Sequence, residues 1–255
     1  MKNGILVTAR TASTRLPKKA LIPLYRDVTL LEHILRRAKN SKLSDQIILC
    51  TTQLEEDKIL CEIAIKCGVD FYQGSVEDKL GRWHGAVKSN NLDYFVTMDG
   101  DDPFCAPELI DNAFQQINSS DADFIEKVNI ITGLFTYAIS ASSLEKVCNL
   151  KDSNSTEMMW TYFKDTGLFN IEELTDVSEL LLRNDIRLTI DYPEDLKLFK
   201  QIFEIIPGEE KIDVYSVVEL LSNNTLMRNI NYFRQNEFIA NQKAKTLLKL
   251  KVVES

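Results

Sequence analysis

The sequence predicts a single α/β domain in which a mainly parallel, mixed central sheet is flanked by helices on both faces. Three observations support this prediction. Strand-like and helix-like segments alternate from residue 4 to about residue 117, which is typical of parallel strands connected by helices. Hydrophobic residues make up 44% of the 255 residues, which is enough for a sizeable core. Polar clusters follow several of the strand-like segments, where ligands bind in open α/β sheets.

The first predicted strand is the short apolar run 4–9, and a polar, basic loop over 10–19 follows it. Thr29 and Glu32 have the spacing of a capping box and indicate the start of a helix. That helix presents one apolar face through residues at helical spacing. They are Leu30, Leu31, Ile34, Leu35 and Ala38.

Two more strand and helix pairs follow along the chain. The run 46–52 predicts a second buried strand, and 55–67 predicts a helix that ends at Gly68. A short strand is predicted over 69–72 and a third helix over 76–88.

A fourth strand over 93–98 runs into an Asp-rich turn, and Pro107 starts the next helix. The stretch 123–174 is less regular. Three further segments are predicted to be short strands, two of which extend the sheet. They are 134–140, 169–174 and 187–190. Helices are predicted after Asp191 and over 213–221, and no linker is evident.

Composition excludes several classes of function. The net charge of −8 disfavours a nucleic-acid partner, although a local cluster of cations can still bind an anion. Five cysteines without a CxxC pair fit neither a disulfide framework nor a zinc site. No apolar run approaches the ~18 residues of a membrane span, and the first residues show no signal-peptide pattern. We therefore expect a cytoplasmic protein.

The basic loop is the first candidate for chemistry, because it directly follows a strand. It combines two arginines and two lysines with hydroxyl groups. They are Arg10, Ser13, Thr14, Arg15, Lys18 and Lys19. Arginine binds phosphate oxygens with parallel hydrogen bonds, and lysine acts as a point charge. The glycines of a P-loop are absent, and the alternative interpretation is a solvated basic loop.

Carboxylates that follow two other strands are the second candidate. Asp99, Asp101 and Asp102 lie close together in sequence, and closely spaced carboxylates repel unless a cation lies between them. Mg²⁺ binds one or two carboxylates together with phosphate oxygens. The alternative is an ordinary Asp-rich turn, and for Asp191 it is a helix start. Together with the basic loop, these residues indicate a metal-nucleotide site.

Other polar and aromatic residues carry weaker signals. His33 and His84 have no Ser or Cys partner in view, which disfavours a triad hydrolase. Trp83 and Trp160 are expected to pack rather than to stack on a ligand. Four lysines near the C-terminus are interleaved with apolar residues and predict a solvated or subunit-packing tail, as in a possible homodimer. They are Lys243, Lys245, Lys249 and Lys251.

The run TARTASTRLPKKAL over 8–21 resembles the N-terminal signature of sugar-acid cytidylyltransferases, which make CMP-activated KDO and sialic acids. The likeness is closer to the branch of spore-coat polysaccharide cytidylyltransferase-like proteins. Further stretches of that branch occur in the same order up to about residue 200. They are LLEHILRRA, the GS segment at 74–75 with Asp78 and Arg82, MDGDDPF with PELID, and RLTIDYPEDL.

The resemblance implies a GT-A-like fold, with residues 1–205 as the nucleotidyltransferase domain and 206–255 as a helical C-terminal extension of the same domain. It implies CTP and a small anionic acceptor as substrates, and Mg²⁺ as the cofactor. Asp101 and Asp191 would hold the metal, and Arg15, Lys19 and Asp101 would be catalytic. The implied nucleotide-binding residues are Ala9, Arg10, Ser13, Arg15, Lys19, Ser75 and Arg82. The product would be a CMP-activated sugar acid for surface polysaccharide or glycoconjugate synthesis.

Three positions depart from the family pattern. Lys18 stands where the family often has Gly, Tyr137 stands where Glu is expected, and Met158 stands where His is expected. The last two lie on the acceptor side of the fold, so an unusual acceptor is expected.

Two other functions remain open from the sequence. Asp99-Gly100-Asp101 is also the DxD metal motif of many GT-A glycosyltransferases, although the dense basic loop suits a triphosphate better. A non-catalytic nucleotide-binding protein is the other alternative. Pyrophosphate release from CTP separates the first interpretation from both.

Overall fold

A seven-stranded central sheet organises the chain. The structure is a computed structural model that describes residues 1–13, 15–206, 211–246 and 248–251. The strands of the chain are β1 Asn3–Thr8, β2 Pro23–Tyr25, β3 Val28–Thr29, β4 Gln46–Thr52, β5 Asp70–Gly74, β6 Tyr94–Asp99, β7 Phe124–Glu126, β8 Ala138–Ser140 and β9 Ile171–Glu173. The order in the sheet is β5-β4-β1-β6-β8-β7-β9, while β2 and β3 pair separately.

The helices are distributed between both faces of this sheet. They are α1 Leu30–Ala38, α2 Lys58–Lys66, α3 Lys79–Asn90, α4 Pro107–Ile117, α5 Ala141–Leu150, α6 Thr161–Lys164, α7 Pro193–Ile205, α8 Val214–Asn223, α9 Thr225–Tyr232 and α10 Gln235–Lys245. None of these helices is long and apolar enough to span a membrane.

The alternation of side-chain direction along the strands explains why helices cover both faces of the sheet. In β1, Ile5 and Val7 belong to a core cluster that includes residues of α1, α2, α4, α7 and α8. Leu6, between them, belongs to a second cluster with residues of α3, α5 and α6. Successive side chains of a strand point to opposite faces, so a run that is apolar throughout needs cover on both sides. The prediction of a mainly parallel sheet flanked on both faces is confirmed.

The direction of the strands brings several chain segments to one edge of the sheet. Strands β1, β4, β5 and β6 are parallel, so their carboxyl ends lie together. Strand β8 runs antiparallel to β6, with Val96 opposite Ala138, so β8 begins at this same edge. Strand β7 runs antiparallel to β8 and therefore ends there. The residues after β1, β6 and β7 and before β8 thus lie close to one another.

Several predicted elements differ from the structure. The segment 134–140 forms a strand only over Ala138–Ser140, and the strand Phe124–Glu126 was not predicted. The segment 187–190 is not a strand of the sheet. Its Leu188 and Ile190 amides bond instead to the carbonyls of Thr132 (2.8 Å) and Asp101 (2.8 Å). Such short segments take their pairing from tertiary contacts, which local propensity does not encode.

Two helices begin later in the structure than the sequence predicts, and a third begins where it was predicted. The helix predicted over 76–88 begins at Lys79, because Asp78 is its N-cap and accepts a hydrogen bond from the Gly81 amide. The helix predicted over 55–67 begins at Lys58, after a 3-10 turn. Thr29 caps α1 through the Glu32 amide.

Candidate active site

A cavity of about 510 Å³ lies at the edge of the sheet where the parallel strands end. Its volume is in the range of pockets for small molecules and cofactors. Most of the residues singled out in the sequence line it. They are Ala9, Arg10, Ser13, Arg15, Lys19, Arg82, Asp101 and Asp191. Segments separated by up to about 180 residues therefore meet here, as the sequence predicts for strand ends.

Ser75 is not among the described residues that line the cavity. Its carbonyl accepts a hydrogen bond from the Arg82 guanidinium (2.5 Å), and its hydroxyl accepts one from the Asp78 amide (3.1 Å). The structure therefore places Ser75 behind Arg82 rather than on the cavity surface.

The basic loop reaches the cavity because its first residues are anchored below it. The amide and the hydroxyl of Thr11 both donate to Asp57 Oδ1, at 2.7 and 2.6 Å. Thr52 at the end of β4 donates to the other carboxylate oxygen of Asp57. Asp57 is fully buried, so these hydrogen bonds form where water does not compete.

Two backbone features shape the same region. A Cβ on Gly100 would lie 2.7 Å from the carbonyl oxygen of Thr8 and 2.7 Å from the Ala9 Cβ, so only glycine fits there without displacement. Lys18 has a φ of +53°, in the left-handed region that glycine adopts without strain. This conformation accounts physically for the glycine that the resembling family often has at position 18.

Lys19 lies between two carboxylates from different parts of the chain. Its Nζ is 2.5 Å from Asp101 Oδ2, 2.9 Å from Asp191 Oδ1 and 3.0 Å from the Ile190 carbonyl oxygen. Arg15 donates to the same Asp191 oxygen at 2.5 Å. Burial disfavours the charged form of Asp191, but Lys19 and Arg15 outweigh this effect and lower the pKa of its carboxyl to about 2. Although burial also opposes the charged ammonium, Asp101 and Asp191 raise the pKa of Lys19.

Asp191 is held from behind by a buried network. Arg187 is fully buried and donates to Asp191 Oδ2 at 3.4 Å and to both oxygens of Asp195, at 2.9 and 3.2 Å. Asp195 accepts from the Asp191 and Tyr192 amides, and Asn231 in α9 donates to it at 2.8 Å. Asp195 thus caps α7 and fixes Arg187, which in turn orients Asp191.

The loop after β6 carries a second group of carboxylates. Oxygen atoms of Asp99, Asp101 and Asp102 lie within 4.8 Å of one another. Burial and the two neighbouring carboxylates raise the pKa of Asp102 well above its ordinary value. Lys79 at the start of α3 lies 3.0 Å from Asp99. Oxygen donors this close together suit a divalent cation, and Asp101 belongs both to this group and to the pair around Lys19.

The far end of the cavity is formed by the start of α3. The Arg82 side chain lines the cavity, and its buried Nε has no partner among the described residues. The Lys79 ammonium lies 4.8 Å from the centroid of the Trp83 ring. Trp83 is fully buried, and its indole nitrogen donates to the Thr8 hydroxyl (2.8 Å), which confirms the prediction that it packs.

The two later departures from the family pattern both lie at the cavity. Tyr137 and Met158 both line the cavity. Tyr137 precedes β8, its carbonyl accepts from the Thr97 amide (2.9 Å), and its ring packs on Phe124. Burial and the neighbouring Asp99 and Glu126 raise the pKa of the Tyr137 hydroxyl.

Part of the cavity lining was not predicted from the sequence. Glu157, beside Met158, pairs with Arg10 (3.1 Å) and with Lys245 (3.5 Å). Lys245 therefore borders the cavity instead of belonging only to a solvated tail. The helix that carries it, α10, has no buried residue and no apolar stripe that would have indicated a helix against the site.

The chain is similar to known cytidylyltransferases over most of its length. The family described as Cytidylyltransferase matches residues 5–243. The chain is 26% identical over 225 residues to the spore coat polysaccharide biosynthesis protein SpsF of Bacillus subtilis, covering 86% of this chain and 93% of that protein. It is 32% identical over 115 residues to a 3-deoxy-manno-octulosonate cytidylyltransferase of Chloroherpeton thalassium, covering 44% of this chain and 45% of that protein.

A solved structure extends the match to three dimensions. The cytidylyltransferase of Leptospira borgpetersenii superposes with a TM-score of 0.80 at 27% identity, covering 90% of this chain and 98% of that chain. The sheet and the helices that position the cavity are therefore shared with a cytidylyltransferase.

Proposed function

Because the chain belongs to the cytidylyltransferase family, a family of CTP-dependent nucleotidyltransferases, we propose that it transfers CMP from CTP to a small anionic acceptor with Mg²⁺ and releases pyrophosphate. One observation carries this proposal. The cations of the basic loop converge inside one cavity on two carboxylates, one after β6 and one before α7, with Lys19 in contact with both Asp101 and Asp191.

The basic loop supplies the binding site for the triphosphate. Arg10, Ser13, Arg15 and Lys19 all line the cavity and carry donors for phosphate oxygens. The Nε atoms of Arg15 and Arg82 are buried without a partner among the described residues. Buried donors of this kind are normally satisfied, so an anionic ligand in the cavity accounts for both.

The carboxylates fit a magnesium ion. Asp101 and Asp191 already share one cation, the ammonium of Lys19, and Asp99 and Asp102 lie next to Asp101. Carboxylate oxygens are the ligands that Mg²⁺ takes in nucleotide sites, so Asp101 and Asp191 would hold it. When bound, the ion would supply positive charge to the triphosphate.

The chain's own residues then act by position and charge. An acceptor hydroxyl forms a bond to the α-phosphorus, the bond to the β-phosphate oxygen breaks, and the hydroxyl proton is lost to solvent. Arg15 and Lys19 stabilise the negative charge that develops on pyrophosphate. Arg187 and Asp195 keep Asp191 in place while these cations exchange carboxylate for phosphate contacts. No protein nucleophile is required, because phosphoryl transfer depends mainly on positioning and charge neutralisation.

The acceptor is proposed to be a keto sugar acid that differs from KDO and ordinary sialic acid. A cation held by Asp101 and Asp191 would attract its anionic group, and this attraction would help to place the attacking hydroxyl near the α-phosphorus. Tyr137 and Met158 line the cavity in place of the ionisable Glu and His of the resembling family, so the contacts with the acceptor differ. The CMP-activated product would serve surface polysaccharide or glycoconjugate synthesis, as the name of the Bacillus subtilis relative suggests.

The close grouping of Asp99 and Asp101 favours one alternative, a glycosyltransferase with a DxD metal site. A screen of acceptors against the four nucleoside triphosphates, read out by pyrophosphate release, separates the two functions. We expect release with CTP and a keto sugar acid. Preference for ATP, or consumption of a nucleotide sugar without pyrophosphate, would overturn the proposal.

A further inference from the structure

One wall of the cavity has no role in the chemistry described above, and the C-terminal helix α10 forms it. Six of the residues of α10 line the cavity. They are Gln235, Phe238, Ile239, Asn241, Gln242 and Lys245. Five of the six recur at the spacing of one helix face, with Asn241 at its border. No residue of α10 is buried by protein, so this face is accessible from the cavity.

Polar contacts hold α10 in this position at both ends. The Gln235 amide nitrogen donates to the Thr132 hydroxyl (2.9 Å), and its oxygen accepts from Arg187 (3.1 Å). At the other end, Lys245 pairs with Glu157 (3.5 Å). Between these ends, the centroid of the Phe238 ring lies 4.4 Å from the Arg187 guanidinium carbon and the Asn241 amide donates to the Tyr192 hydroxyl (3.2 Å). These contacts fix the helix and leave the Gln242 side chain without a role in holding it.

The middle of the helix offers both apolar and polar groups to a ligand. Phe238 and Ile239 line the cavity, and Ile239 is 39% exposed. The Gln242 amide also lines the cavity and makes no side-chain hydrogen bond with any described residue.

We propose that α10 forms one wall of the acceptor subsite and that Gln242 is a specificity-determining residue that binds hydroxyl groups of a polyhydroxylated sugar acid. An amide both donates and accepts, which suits neighbouring hydroxyls. Phe238 and Ile239 pack against the carbon skeleton of the sugar. The inference rests on the proposed function and deepens it, because it favours a sugar acid over a small phosphonate without hydroxyls.

Two matched pairs of variants test this subsite. Gln242→Ala is compared with Asn236→Ala, which removes an exposed amide of the same helix that does not line the cavity. Ile239→Trp, which fills the subsite, is compared with Ala240→Trp at the next, exposed position. Pyrophosphate release is measured with CTP, Mg²⁺, eight- and nine-carbon keto sugar acids, and a hydroxyl-free alkylphosphonate. Circular dichroism checks that each variant is folded.

We expect Gln242→Ala to raise the KM for the sugar acid roughly three- to tenfold while the KM for CTP stays unchanged. Ile239→Trp should raise the acceptor KM roughly tenfold or more, and both controls should match the wild type. An acceptor KM in Gln242→Ala equal to that of Asn236→Ala, or wild-type preference for the phosphonate, would overturn the inference alone. If the wild type releases no pyrophosphate with any acceptor, the proposed function fails and the inference with it.

Discussion

Replacing Lys19 with Met tests whether its ammonium holds together two carboxylates that otherwise repel. The Lys19 side chain is 14% exposed and that of Asp191 only 3%, with the ammonium 2.5 Å from Asp101 and 2.9 Å from Asp191. Breaking a buried ion pair costs about 3–5 kcal/mol. Because Asp191 keeps its contact with Arg15, we expect the free energy of unfolding to fall by about 3 kcal/mol. For a domain of this size, Tm should fall by roughly 6–12 °C.

Magnesium gives this variant a distinctive response. Without the ammonium, the two carboxylates are available to Mg²⁺, whereas in the wild type Lys19 competes for them. Mg²⁺ at about ten times its Kd should therefore restore roughly 1.4 kcal/mol of stability to Lys19→Met, and less to the wild type. Urea unfolding with and without Mg²⁺ measures both effects, and calorimetry should show CTP affinity weakened by about 1.5–3 kcal/mol.

Lys151→Met is the matched control. Lys151 pairs with Asp78 at 2.6 Å, the two side chains are 9% and 13% exposed, and neither residue lines the cavity. This variant should also be destabilised, but Mg²⁺ should not restore it. Equal responses of the two variants to Mg²⁺, or unchanged CTP affinity in Lys19→Met, would refute the role given to Lys19.

Three further predictions follow from the same contacts. Asp101→Asn and Asp191→Asn should each lower pyrophosphate release by about a hundredfold or more while circular dichroism stays unchanged. Wild-type turnover in Asp191→Asn would show that the Asp191 carboxylate is not needed for the reaction. Asp57→Ala removes the acceptor that anchors the basic loop, so urea unfolding should show a loss of roughly 2–4 kcal/mol and calorimetry a weaker CTP complex. Full CTP affinity in that variant would mean that the loop keeps its path without the anchor. Because Tyr137 and Met158 replace ionisable groups, KDO and N-acetylneuraminate should be used at least about tenfold less efficiently than the preferred acceptor. Steady-state kinetics check this, and efficient turnover of either sugar would contradict it.

The sequence predicts the parallel half of the sheet well, because its strands are long apolar runs with clear breaks. The runs 4–9, 46–52 and 93–98 correspond to β1, β4 and β6. In the other half, β7 was not predicted, and β8 and β9 occupy only three residues each of the predicted segments 134–140 and 169–174. Strands of three residues carry too few side chains for a period-two pattern to be recognised.

In the site, the positions of the residues along the chain could be predicted better than the contacts between their side chains. Arg15 and Lys19 follow β1 and Asp101 follows β6, and the carboxyl ends of parallel strands meet, so the proximity of these three residues could be predicted. Asp191 follows a segment that is not a strand of the sheet, and the hydrogen bond from the Ile190 amide to the Asp101 carbonyl brings it to the site. Sequence did not reveal that Lys19 would bridge the two carboxylates, since that depends on side-chain geometry.

No local feature of the sequence indicates the contacts that support the site. Asp57 lies 46 residues from the Thr11 that it anchors, and in the acidic run 55–57 it looks like an ordinary surface residue near a helix start. The residues of α10 show no amphipathic stripe, because their inner face is turned toward a cavity and not toward a hydrophobic core.

The central claim is that this cavity joins CMP to an anionic acceptor and releases pyrophosphate. Phosphorus NMR of the protein with CTP, Mg²⁺ and the acceptor found by screening observes both products at once. The account predicts one CMP phosphodiester for each pyrophosphate formed, with neither appearing in Asp101→Asn. CTP that stays intact with every acceptor, or a nucleotide sugar consumed without pyrophosphate, would contradict it.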